Sequence, residues 1–192
     1  MHGTGLHATG FACVVALATI LLWGCDTTRP PKPTSTITDA IKAGDVEAVR
    51  SHLYWDAPTG DRGYNLSLLP LAASYGHDEV VALMLDTGIP VSPKLKPPRP
   101  LALHYAAAKG HTSTVQLLLD RGAVVDQVDE YGKTPLVWAA ETGQLACVKL
   151  LLAAGADPAH RSRYGTATDA AVKNGHDAVA AWLGIHQGDA SP

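Results

Sequence analysis

A block of about 33 residues returns again and again along this chain. "GKTPLVWAAETGQLACVKLLLAAGAD" at 132–157 echoes "ALHYAAAKGHTSTVQLLLDRGA" at 102–123 and "LPLAASYGHDEVVALMLDTGI" at 69–89. Five blocks align on Gly44, Gly76, Gly110, Gly143 and Gly175, with gaps of 32, 34, 33 and 32 residues. Four residues before each glycine stands an alanine: Ala40, Ala72, Ala106, Ala139 and Ala171. Val49, Val81, Val115 and Val148 follow five residues after the first four glycines, with Ala180 in the last block. Leu53, Leu85, Leu119 and Leu152 come nine after, and Gly88, Gly122 and Gly155 come twelve after the central three. A period of this length means one small supersecondary unit, too thin to bury its own apolar face, stacked on copies of itself.

The residues of one block explain its local structure. Thr134 suits a helix N-cap, and Pro135 suits the first turn, where a missing N–H costs nothing. Ala139 and Ala140 are small enough for two helices to approach there, and Gly143 ends the helix. A second helix follows, with Leu145, Val148, Leu151 and Leu152 on one stripe. Gly155 ends it, and "ADPAHRSRYG" turns outward as a hairpin-like finger. Apolar residues at 46% supply a core, and aromatics at 6% fit small, closely packed helices better than a β-sandwich.

"GKTPLVWAAETGQLACVKLLLAAGADP" resembles the ankyrin-repeat pattern G-x-T-P-L-H-x-A-A-x-x-G-x-x-x-x-V-x-x-L-L-x-x-G-A. The resemblance implies an all-α solenoid of stacked helix-turn-helix units with hairpin-like fingers. Its full repeats would be 63–92, 100–126 and 129–157, with degenerate caps at 35–53 and 164–185, in a domain spanning 37–186 before a tail at 187–192. No block carries the whole T-P-L-H tetrapeptide: His104 is present, but Thr38, Pro70, Val137 and Asp169 hold the corresponding place. Two connections also depart from the pattern, Tyr54–Asn65 and the basic, proline-rich Ser92–Pro100. The latter reads first as an exposed insertion.

The N-terminus obeys other rules. Phe11–Trp23 is an uncharged run of 13 residues, short of the roughly 20 a membrane span needs but suited to a secretory h-region. It ends in "LLWGC", which resembles a bacterial lipobox with Leu22 at −3, Gly24 at −1 and Cys25 at the cleavage point. That resemblance implies a lipoprotein signal over 1–24, acylation of Cys25, and anchoring in a bilayer through it, with a plain secretory signal or a buried apolar helix as the alternatives. Trp23 is bulky for −2, and the first ten residues hold no Lys or Arg, so a start further upstream is the other reading. Asp26 resembles an inner-membrane retention signal. Thr27–Thr36 reads as a Pro/Thr-rich tether reaching about 30 Å or less, within residues 25–36. The expected place is the cell envelope, with the repeats in the periplasm or outside the cell. With Cys13 and Cys25 so used, Cys147 alone remains, and no internal disulfide can form.

Chemistry finds little support. The net charge of −3 argues against a nucleic-acid partner. His77, His111 and His176 each follow a repeat glycine. Helices packed roughly 8–10 Å apart keep such copies from sharing zinc at its ~2 Å bonds, so they read as packing and hydrogen-bonding groups. Cys147 reads as a buried small hydrophobe, and Tyr105 and Trp138 as core. No metal site, cofactor or catalytic residue is expected.

The family resemblance instead implies a monomeric module that binds another protein through finger tips and first helices. The residues at those places are Tyr75, Lys109, Asp129, Glu130, Tyr131, Lys133, Glu141, Arg161, Arg163 and Tyr164. Tyrosine and arginine lead energetically at interfaces, so Tyr75, Tyr131, Arg163 and Tyr164 stand first. An immunity or inhibitor protein and a scaffold for an envelope enzyme both fit. An unlipidated intracellular adaptor and a small enzyme remain as alternatives.

Overall fold

The computed structural model describes residues 32–55, 67–93 and 98–188. The segment expected to be a signal, Cys25, Asp26, most of the stretch expected to be a tether, most of the first long connection, residues 94–97 and the end of the tail lie outside the described residues. Among the described residues ten helices alternate in two rows. The inner row is α1 (Ile37–Ala43), α3 (Leu68–Tyr75), α5 (Ala102–Lys109), α7 (Pro135–Glu141) and α9 (Ala167–Lys173). The outer row is α2 (Val46–Trp55), α4 (Asp78–Asp86), α6 (Thr112–Asp120), α8 (Leu145–Ala153) and α10 (Asp177–Gly188). Among the described residues there is no strand, only an isolated antiparallel bridge between Ser162 and Gly165. None of these helices is long and apolar enough to cross a membrane. The last helix runs to Gly188, past the expected edge at 186, because no proline or terminating turn interrupts it earlier.

Side-chain caps start three of the inner helices. Thr36 Oγ1 accepts from Asp39 N at 3.2 Å, and Thr134 Oγ1 accepts from Val137 N at 3.4 Å with Pro135 in the first turn. Thr166 and Asp169 form a reciprocal box, each side chain accepting the other's N–H, at 3.2 and 2.8 Å. Helix α5 lacks a capping oxygen at Leu101, and His104 Nδ1 instead accepts from Leu101 N at 3.1 Å. The T-P-L-H histidine thus does the work of a cap.

The repeat glycines answer two demands at once. Gly44, Gly76, Gly110 and Gly143 all have φ between 69° and 77°, a left-handed conformation that costs a β-carbon roughly 1–2 kcal/mol. A Cβ on Gly44 would lie 2.8 Å from the His77 ring, one on Gly76 2.6 Å from His111, and one on Gly143 2.6 Å from His176. Gln144 fills this place over Gly110. Each histidine then donates from Nε2 to a carbonyl of the preceding inner helix: Lys42 at 3.0 Å, Ser74 at 3.1 Å and Glu141 at 3.1 Å. These histidines have the packing role expected of them.

Inner helices touch one another more closely than outer helices do, because paired alanines line their contacts. Ala72, Ala73, Ala106, Ala107, Ala139 and Ala140 are fully buried. Larger residues fill the outer row: Val81, Met84, Val115, Leu118, Val148 and Leu151 are likewise inaccessible. Leu145 and Leu152, expected on the stripe with Val148 and Leu151, are only partly buried and pack against the core.

Candidate functional site

The finger before α7 is held by one carboxylate. Asp129 Oδ1 accepts from Tyr131 N at 2.9 Å and Lys133 N at 2.8 Å, and Oδ2 accepts from Trp138 Nε1 at 3.0 Å. Asp129 N donates to Lys133 O at 3.1 Å and closes the hairpin. The sequence places Asp129 among the partner-binding tips. The structure corrects this: the residue is 2% exposed, and its acceptors are spent on the finger itself. Trp138 and Tyr105 also differ from a plain core reading. Both are half-buried, with rings 5.4 Å apart edge to face, and the Trp138 indole ties the helix to the finger.

The next finger lies alongside. Arg163 N donates to Tyr131 O at 3.0 Å, and His160 Nε2 donates to Gly132 O at 2.9 Å. Ser162 holds the second turn, donating from Oγ to Gly165 O at 2.7 Å. Pairing the backbones brings Tyr131 and Tyr164 together, 5.8 Å between ring centroids, with 42% and 56% of each residue still exposed. Lys133 Nζ sits 5.0 Å over the Tyr164 ring, and Arg163 lies 6.0 Å over Tyr131. Lys133 Nζ also donates to both Glu141 oxygens, at 2.8 and 3.0 Å.

Between these fingers and helices α7 and α9 runs an open groove of about 340 Å³. Tyr131, Lys133, Glu141, Tyr164, Lys173 and Asn174 carry its polar and aromatic character, with Val137, Ser162, Thr166 and Ala170 completing the lining. Four sequence candidates thus converge there: Tyr131, Lys133, Glu141 and Tyr164. Arg163 and Arg161 are exposed on the second finger, and Glu130 is exposed at the tip of the first. Tyr75 and Lys109 are exposed at the ends of α3 and α5, outside this groove; Tyr75 stacks on His77 at 6.0 Å. Candidacy alone did not suggest Ser162 or Thr166, although Ser and Thr beside a turn glycine are an ordinary turn signal.

Three groups have displaced proton affinities. Burial lowers the His104 pKa below 6.5, outweighing the opposing pull of the Lys133 carbonyl. With Nδ1 accepting from Leu101 N, the neutral ring donates from Nε2 to Lys133 O at 3.2 Å. The Thr166 N–H holds Asp169 below the usual carboxylate range. Burial pushes the Cys147 thiol up to about 11, the reverse of what a nucleophile needs. Among the described residues no group of three His, Cys, Asp or Glu side chains could hold a metal ion.

Comparison with known proteins agrees with this architecture. A family model described as ankyrin repeats (3 copies) matches residues 69–162 and 103–191. The palmitoyltransferase Hip14 of Drosophila melanogaster is 44% identical over 64 residues, 33% of this chain and 10% of that protein. The chain therefore spans about a tenth of the length of that relative, and the match does not show catalysis.

Proposed function

The chain belongs to the ankyrin-repeat family, whose repeats are protein-interaction modules, and we propose that it is a membrane-tethered binder of an envelope protein. The observation that carries the binding surface is the Tyr131–Tyr164 pair, two large rings left exposed over a groove whose walls are fixed from behind. Buried hydrogen bonds position the fingers, so little ordering entropy remains to be lost on binding. Its work would be to block an incoming toxin as an immunity protein or to hold an envelope enzyme, with no reaction of its own.

Support for the tether comes from the sequence: an uncharged run ending in Leu22, Gly24 and Cys25, then a Pro/Thr-rich stretch. Acylation with two or more chains gives stable anchoring at about 0.8 kcal/mol per buried CH₂. Asp26 favours the inner membrane, with the stack as a monomer in the periplasm.

Two experiments test the proposal. Capture from the cell envelope with the repeat domain should retain a protein that Tyr131→Ala/Tyr164→Ala loses; capture identical in both would remove the groove from the account. Labelling cells with a palmitate analogue should mark the wild type and leave Cys25→Ser unmarked. Equal labelling of both would end the tether.

A further inference from the structure

We propose that the groove between the two fingers and helices α7 and α9 is a seat for one tryptophan side chain, presented by a partner polypeptide. This rests on the reading above that the same groove is the binding surface. The chain holds a filled copy of the seat one repeat earlier. Trp138 stands five residues before Gly143, and Ala170 stands five before Gly175. Asp129 stands three residues before the turn glycine Gly132, and Ser162 three before Gly165. His104, six before Gly110, corresponds to Val137, six before Gly143.

In the earlier copy an indole bridges finger and helices. Trp138 donates from Nε1 to Asp129 Oδ2 at 3.0 Å and meets the His104 and Tyr105 rings edge to face, with centroids 5.7 and 5.4 Å away. In the later copy the finger has the same hydrogen bonds and the indole is missing. Ser162 Oγ accepts from Tyr164 N at 3.2 Å, as Asp129 Oδ1 accepts from Tyr131 N at 2.9 Å. Ser162 N closes its turn on Gly165 O at 2.9 Å, as Asp129 N closes on Lys133 O at 3.1 Å. Ala170 ends at a methyl group, and Ser162, Val137 and Ala170 become walls of the open groove of about 340 Å³. The groove therefore lies where the repeat pattern puts a tryptophan one block earlier, and a partner's ring there continues a contact the stack already makes.

The walls suit an indole. Val137 and Ala170 give it apolar contact, and the exposed Tyr131 and Tyr164 rings flank the opening. Aromatic pairs contribute beyond the area they bury. Ser162 Oγ has given its proton to Gly165 O, so toward the groove it can only accept, which matches an indole N–H. Asn174 Nδ2 is likewise committed, to Ala170 O at 2.8 Å, and leaves its Oδ1 as a second acceptor in the lining. The groove is open, so a ring can enter while its backbone stays outside, as a side chain on a polypeptide does. Tryptophan is among the side chains that carry most energy at protein interfaces when seated in a pocket.

The test titrates the isotope-labelled full chain with a short glycine-serine peptide carrying one central tryptophan, read by amide chemical shifts. Peptides with leucine or glutamate at the centre are the other arms. The tryptophan peptide should shift the amides of Ser162, Tyr164, Ala170 and Asn174 to saturation and bind about fivefold more tightly than the leucine peptide. Ala170→Trp supplies the ring from the chain itself. It should abolish those shifts while keeping its thermal midpoint at or above the wild-type value. Tyr164→Ala removes an exposed flanking ring without touching the core, and should weaken the same peptide about threefold. The inference is overturned by shifts that fall elsewhere, by equal affinity for the leucine peptide, or by binding that Ala170→Trp retains. A midpoint for Ala170→Trp well below the wild type overturns it too, because the groove then does not seat an indole. Self-association in sedimentation that Ala170→Trp removes would give the seat to a second copy and overturn the partner. Envelope capture that needs Tyr131 and Tyr164 but ignores Ala170→Trp would leave the binding surface standing and sink the tryptophan seat alone.

Discussion

The seam between α7 and α9 and the outer edge of α9 are written in the same sequence pattern, yet they have opposite environments. At the seam, Gly143 lies against the His176 ring and Ala140 is fully buried. At the edge, Gly175 has the same left-handed turn, with φ 74°, but nothing stands within 4 Å of where its Cβ would be. Val172, in the place of Ala140, is 63% exposed. The difference shows that a repeat residue's importance comes from the neighbour laid against it and not from its own block. The seam also creates the groove, since neither finger alone can pair Tyr131 with Tyr164.

The largest effect should come from hollowing the outer row inside the stack. Leu118→Ala should cost about 2–5 kcal/mol in chemical denaturation, whereas Val172→Ala at the edge should stay within about 0.5 kcal/mol. Comparable losses at both would break the contrast. Next is the glycine pair. Gly143→Ala meets both the unfavourable φ and the His176 ring and should cost about 3 kcal/mol, against about 1 kcal/mol for Gly175→Ala, which meets only the first. Similar thermal shifts for the two would show that conformation, and not close approach, selects glycine at the seam.

Asp129→Ala should cost about 1–3 kcal/mol. It leaves the Tyr131, Lys133 and Trp138 N–H groups without their acceptor, and faster amide exchange across Tyr131–Lys133 would report the loosened finger. Smallest is the pH effect of His104. Its folded-state pKa lies below 6.5, so the unfolded chain binds the proton more readily. This contribution is complete above pH 6.5 and is lost as pH falls from there toward the folded value, at no more than about 1.4 kcal/mol per pH unit. Denaturation midpoints of His104→Gln should be flatter across that window, and an unchanged pH slope would exclude His104 as its source.

Much of the stack is legible in the residues. The alanine four places before each glycine, the valine five places after the first four, and the glycine itself give the helix pairs, their order and their close approach. What resists reading is whatever depends on a neighbouring block. Asp129 has the composition of a surface tip, and only the closed hairpin turns it toward Trp138. Trp138 looks like core because it precedes the alanine pair, yet its indole nitrogen needs a polar partner and holds the ring half-exposed. Tyr131 and Tyr164 are 33 residues apart, and their meeting follows from the Arg163–Tyr131 backbone bond between adjacent fingers.

The most direct measurement is hydrogen exchange on the full chain, alone and with a protein that the proposed capture experiment retains. Added protection should fall on Tyr131–Lys133, Tyr164–Thr166 and the end of α9. Protection confined to the outer helices α4, α6 and α8, with the two fingers exchanging as fast as in the free chain, would contradict the account.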